Sequence, residues 1–184
     1  MRPERADAAR NRQRLLEAAA RITREHGPDA LSMEAVAEAA GVGIGTVYRR
    51  FGDRAGLAYA LVDESERAFQ HAFLHGPPPL GPGAPPRERL HAYVRAYTDR
   101  LEDQGQLLAV AEDRRYDVGS YQLQRTHLAH LIGEFDPSLD AGWLAEAMLE
   151  LLSGRLFLRL SRTRGLSAER IKAGLDQLLR GITG

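Results

Sequence analysis

The chain has 184 residues, with 25 basic and 25 acidic side chains and a formal net charge of zero. That length allows one or two domains with a real core, and a balanced charge marks neither a nucleic-acid nor a membrane partner by itself. The absence of cysteine excludes disulfide staples, thiolate metal sites and a cysteine nucleophile. No apolar run is long enough to span a bilayer, and no apolar stretch follows the polar, Arg-rich start, so a soluble cytoplasmic protein is expected. Lys172 is the only lysine; arginine carries the rest of the basic charge.

Apolar residues recur at helical spacing throughout and no stretch alternates as a strand does, so the expected fold is all-α, with about nine helices. A charged arm (1–8, with its polar character extending to Arg12) leads into a first helix from about Ala8 to His26, with Leu15, Leu16, Ala19 and Ile22 on one face. Gly27-Pro28 stops it. Ser32 is an N-cap for a short helix, Met33 to Ala40, which Gly41 ends. A third helix is expected over Ile44 to Phe51. A fourth follows Gly52-Asp53, from Arg54 to about His75, with the stripe Leu57, Leu61, Ala68, Phe69 and Ala72. The Pro/Gly segment Gly76 to Pro86 is a loop. Leu90, Val94, Tyr97 and Leu101 mark a fifth helix, and a short sixth is placed at Gln106 to Asp113. A seventh runs from about Gly119 to Phe135, an eighth from Leu139 to Ser161 and a ninth from Ser167 to Ile182. The expected division is a helix-turn-helix unit at 1–53 and a larger helical unit at 54–184.

The stretch "GVGIGTVYRRFGDR", positions 41 to 54, is the most informative. Two short helices joined by a tight Gly-containing turn form a helix-turn-helix pattern. Ala37 is small where the helices cross, and Gly41 stands where the turn needs a positive φ. Val36, Val42 and Val47 fill the space between them. With Val47 inward, 100° per residue puts Phe51 beside it and turns Gly45 and Arg49 outward, flanked by Thr46 and Tyr48. Ile44 leads this face. Gly43 and Gly45 let the backbone approach a groove, and the free N–H groups at the helix start suit phosphate. Arg49 can reach a guanine edge and Ile44 a thymine methyl. Arg50 and Arg54 lie to the side, where phosphate contact fits better.

The segment "LSMEAVAEAAGVGIGTVYRRFGDRAGL", Leu31 to Leu57, resembles the DNA-binding domain of the tetracycline-repressor (TetR) family, and "LLEAAARITREHG", Leu15 to Gly27, fits its first helix. The resemblance implies a homodimer, a third helix in the major groove of double-stranded DNA, and a small-molecule site in the C-terminal unit whose occupancy releases an inverted-repeat operator. It makes Gly43, Ile44, Gly45, Thr46, Tyr48, Arg49, Arg50 and Arg54, with Ser32, the DNA-contacting set. Arg54 stands where the family often has a phosphate-binding lysine. Gly43 and Gly52 depart from the Ser or Thr, and the Pro or Lys, common at those places.

The resemblance also assigns the last two helices to a dimer interface, through Leu144, Met148, Leu151, Leu152, Ile171, Leu175, Leu178, Leu179 and Ile182, with Gly154 and Gly174 allowing close approach. Tyr93, Tyr97, Glu112, Tyr116, Tyr121, His127, Trp143 and Phe157 are the candidates for a largely apolar effector pocket. His71/His75 and His127/His130 share helix faces, but no third ligand completes a metal motif, and no metal or cofactor is expected. There is no G-x-S-x-G, P-loop or H-E-x-x-H, so an enzyme is not expected. The alternative is a DNA-binding dimer whose C-terminal unit senses nothing, with a helical enzyme more remote.

Overall fold

A computed structural model describes residues 3–117 and 119–183, with side chains described over 8–116 and 119–181. It is all-α: among the described residues there are nine α-helices and no strand. They are α1 (Pro3–His26), α2 (Met33–Ala40), α3 (Ile44–Phe51), α4 (Arg54–His75), α5 (Pro86–Ala111), α6 (Gly119–Phe135), α7 (Ala141–Leu151), α8 (Gly154–Leu158) and α9 (Ala168–Thr183). Short 3₁₀ segments occupy Pro28–Ala30 and Glu112–Asp117. No described helix is long and apolar enough to cross a membrane.

Several expected boundaries move. α1 starts at Pro3, so the described part of the arm is helical; residues 1 and 2 lie outside the described residues. α5 absorbs the expected sixth helix and runs unbroken to Ala111, because no residue between Leu101 and Ala111 obliges a break. The long helix expected from Leu139 to Ser161 is interrupted. Leu152 closes α7, Ser153 caps α8 by accepting from the Leu156 N–H at 3.1 Å, and a π turn follows at Arg159–Thr163.

Two hydrophobic cores result. The first joins α1, α2 and α3 through Leu15, Ala19, Leu31, Val36, Val47 and Phe51. The second joins α4 to α9 around Phe69, Phe73, Tyr93, Leu128, Leu131 and Leu149. α4 gives Leu57 and Ala58 to the first core and Phe69 and Phe73 to the second, so both cores share this helix. Its inward stripe is Leu57, Ala58, Val62, Glu66, Phe69 and Phe73. Ala68, expected to be inward, is exposed, because the true stripe passes through a charge, Glu66.

Candidate nucleic-acid interface

The helix-turn-helix is built by local chemistry. Ser32 Oγ accepts from the Ala35 N–H at 3.0 Å, satisfying one of the free donors at the start of α2. α2 ends at Gly41, whose φ of 65° is the left-handed conformation that a Cβ would disfavour. The Val42 N–H then bonds back to Ala37 O at 3.0 Å, and Arg14 Nη2 donates to Ala40 O at 3.2 Å, so the end of α2 is tied to α1. These bonds fix where α3 starts.

α3 splits into two faces. Val47 and Phe51 are buried against α1 and α2. Ile44 and Tyr48 are exposed at 41% and 46%, large apolar surfaces left in solvent on a helix of eight residues. Gly45 and Arg49 are exposed beside them, and Thr46 is half-buried at the edge. Gly43 caps α3 with no side-chain bond, leaving backbone N–H groups at its first turn open. Arg49 makes no hydrogen bond or ion pair among the described residues, whereas Arg50 Nη2 donates to Ala8 O at 3.0 Å. Arg54 is engaged as well: its Nε donates to Leu31 O and its Nη2 to Pro28 O.

The expected effector residues do not form one set. Tyr97, Glu112 and Tyr121 line a cavity of about 40 Å³ between α4, α5 and α6, where Tyr59, Glu66, Arg115, Ser120 and Gln124 join them. Tyr93 and His127 sit instead in the core beside Phe73, with the Tyr93 hydroxyl and His127 Nε2 buried and unpartnered. Phe157 packs against Gly105 on another face of α5. Tyr116 and Trp143 are exposed at 55% and 65%, so neither lines the cavity; Tyr116 donates instead to Glu150 at 2.6 Å. Glu66 was missed. It accepts from Gln70 at 2.9 Å, Gln124 at 2.7 Å and Arg100 at 2.9 Å, and a charge inside the apolar stripe of α4 was the available signal. Burial pushes the Glu112 carboxyl above its ordinary value, with the Arg155 backbone N–H and Arg115 opposing it. Burial and the hydrogen bond to Glu146 push the Tyr121 phenol up.

The expected interface residues also divide. Met148, Leu152, Ile171 and Leu179 are buried in the chain's own core. Leu151 and Leu178 are exposed and Leu144 and Leu175 half-buried; the side chain of Ile182 lies outside the described residues. Leu151, Leu175 and Leu178, with Leu156, Leu160 and Leu166, line an open apolar groove between α8 and α9. A Cβ on Gly174 would meet nothing, so that face of α9 is open; Gly154, in contrast, is packed against Ala109 of α5. His71 and His75 stack edge to face, and among the described residues no group of three His, Asp or Glu is placed to hold a metal.

Residues 15–61 match the family described as bacterial regulatory proteins, tetR family. An HTH-type transcriptional regulator of Staphylococcus aureus (strain USA300) is 41% identical over 65 residues, which are 35% of this chain and 35% of that protein. The chain thus aligns with about a third of the length of the curated relatives it matches. Solved structures similar to the whole chain include a TetR/AcrR-family regulator from Thermobifida fusca, with a TM-score of 0.61 at 20% identity over 96% of this chain and 98% of that one. NalD, the secondary repressor of the MexAB-OprM multidrug efflux pump in Pseudomonas aeruginosa, gives 0.58 at 19% identity, covering 95% of each. The fatty acid degradation regulator FadR from Bacillus halodurans gives 0.61 at 18%, covering 91% and 96%. At these identities the structures share the fold.

Proposed function

We propose, from the premise that this chain belongs to the TetR family of bacterial transcriptional regulators, that it is a dimeric, cytoplasmic repressor released from an inverted-repeat DNA operator by a small molecule. The observation that carries this reading is the outer face of α3. Ile44, Gly45, Tyr48 and Arg49 are solvent-exposed on a helix anchored from behind by Val47 and Phe51. A helix so presented fits the major groove. Arg49, held by no protein partner among the described residues, is free to read a base edge. Thr46, Tyr48 and the open N–H groups after Gly43 suit phosphate oxygens.

The apolar groove of α8 and α9 supports the dimer. Leu178 is 53% exposed and Leu151 39%, and burying both against a second copy removes apolar surface that a lone chain leaves wet. A two-fold pair then presents two copies of α3 about one DNA turn apart, or a multiple of it. Description of the similarly folded NalD as a repressor favours repression over activation.

The small cavity is the proposed effector site. Its three tyrosines, two carboxylates, Arg115, Ser120 and Gln124 are convergent polar groups set among Val62, Leu108, Ala111 and Gly154. A ligand that prefers a different spacing of the two α3 copies shifts the population away from the DNA-bound form. The alternative, a dimer that senses nothing, draws on the cavity's size: about 40 Å³ holds about three waters. Titration of the purified chain against labelled duplex DNA at rising salt tests the interface. A salt-dependent, sequence-selective affinity is expected, and equal weak binding to every duplex would remove the regulator reading.

A further inference from the structure

The 3₁₀ segment Glu112–Asp117 follows α5, and four consecutive charges in it hold three helices and the junction between α3 and α4. Glu112 accepts from the Arg155 backbone N–H at 3.1 Å, and Asp113 pairs with the Arg155 guanidinium, both at α8. Arg115 donates to Leu149 O on α7 and lies over the Tyr121 ring of α6, 5.1 Å from its centroid. Arg114 reaches the DNA-binding unit. Its Nε donates to Asp53 Oδ2 at 3.0 Å, and its Nη2 lies 3.0 Å from the same oxygen.

Asp53 sits at the junction of α3 and α4. Its Oδ1 accepts from the Gly56 N–H at 2.7 Å, capping α4. Gly52 before it closes α3, its N–H bonded to Tyr48 O at 2.8 Å. Gly52 has φ 81°, and a Cβ there would lie 2.5 Å from Arg114 Nη2. The guanidinium is therefore seated against bare backbone at the end of the outward-facing helix. Two neighbours of Arg114 in sequence, Glu112 and Arg115, line the cavity.

We propose that Arg114 is the positioning residue through which occupancy of the cavity is felt at the C-terminal end of α3, a proposal that rests on the reading of that cavity and that helix given above. A molecule that displaces Glu112 or Arg115 must move the single turn of backbone they share with Arg114. The Asp53 contact then breaks, and the Gly52–Asp53 junction loses the group that holds it. The pair is 39% and 50% exposed, so it adds little to overall stability. Its effect is on orientation: it joins the two units at the one place where α3 hands over to α4.

Backbone amide exchange across residues 51–57 tests this without DNA. The wild-type chain is compared with Arg114→Gln, Leu108→Trp and the double variant. Leu108 lines the cavity, so a larger side chain there stands in for occupancy. Each single change is expected to speed exchange at 51–57 by about three-fold, and the double variant no more than either alone. Additive effects, or filling that leaves 51–57 unchanged, overturn the proposal. Leu108→Phe replaces Leu108→Trp if the latter loses helical content, with the same outcomes. Non-additive exchange in a chain that selects no duplex leaves the Arg114 linkage standing and removes the DNA reading; additive exchange in a chain that does select one has the reverse meaning.

Discussion

The guanidinium of Arg54 is bonded to the carbonyl of Leu31, 2.7 Å from Nε. A second bond, from Nη2 to Pro28 O at 2.9 Å, ties the first residue of α4 to the link between α1 and α2. Sequence position alone made Arg54 a phosphate contact. The geometry gives it a structural job first, in a residue that is still exposed overall. Arg54→Ala is expected to lower the unfolding free energy by about 1–2 kcal/mol in urea titrations. Arg54→Lys should recover little of it, since an ammonium cannot fork between two carbonyls in the same way. An unchanged midpoint for the alanine variant would show that the tie carries no stability.

Arg49 has no such second job among the described residues. Arg49→Ala should leave thermal stability unchanged and cost about 1–3 kcal/mol on the best DNA site, relaxing selectivity at one base position. Binding and base preference both equal to wild type would remove Arg49 from readout.

Glu66 is buried with Arg100, whose guanidinium also lies 5.1 Å from the centroid of the Phe69 ring and 5.4 Å from that of Tyr97. Removing one partner of a buried pair leaves the other charge uncompensated. Glu66→Ala should therefore destabilise the chain by about 3–5 kcal/mol, and Glu66→Gln by less, because its one carbonyl oxygen can still accept from Arg100, though not also from Gln124, which bonds the other carboxylate oxygen. Equal losses for the two variants in chemical denaturation would place the whole cost in the lost charge, which both remove, and none in the bond an amide retains.

His127 is held neutral. Burial, then repulsion from Arg89 and His130, lowers its pKa from 6.5 to about 4. The unfolded chain takes up a proton near pH 6.5 that the folded chain refuses until about pH 4. Stability contributed by the neutral ring is thus complete above pH 6.5 and is lost as pH falls through that window, by about 3 kcal/mol in all. His127→Leu should flatten the stability profile between these values. The same acid slope in the variant would assign it to other groups.

Leu178 projects from α9 into solvent and contributes little to the chain's own core. Leu178→Arg should leave helical content and melting of the single chain intact while converting a dimer to a monomer in sedimentation. A variant that still sediments as a dimer would move the interface elsewhere.

Much of this fold was legible because its signals are local. Ser32, Gly41 and the Val47/Phe51 pair each act within a turn of where they stand, and α2, α3, α4 and α6 were bounded correctly from such cues. Gly52, which departs from the residues common at its place, gains a reason only when Arg114 is brought against it from 62 positions away. The effector set was harder still. Tyr93 and Tyr97 lie one turn apart on α5, yet Tyr97 borders the cavity while Tyr93 is sealed in the core. Helical spacing says which residues share a face; it does not say what covers that face. The expected interface residues divide for the same reason, since Leu178 and Leu179 are adjacent and point to solvent and core respectively.

The central claim, that the face of α3 bearing Ile44, Tyr48 and Arg49 reads DNA as half of a two-fold pair, is tested most directly by selecting random duplex DNA on the purified protein and sequencing what binds. An enriched inverted repeat, with half-sites about one helical turn apart or a multiple of it, is the predicted result. A folded dimer that enriches no sequence at low salt, where phosphate contacts are strongest, would contradict it.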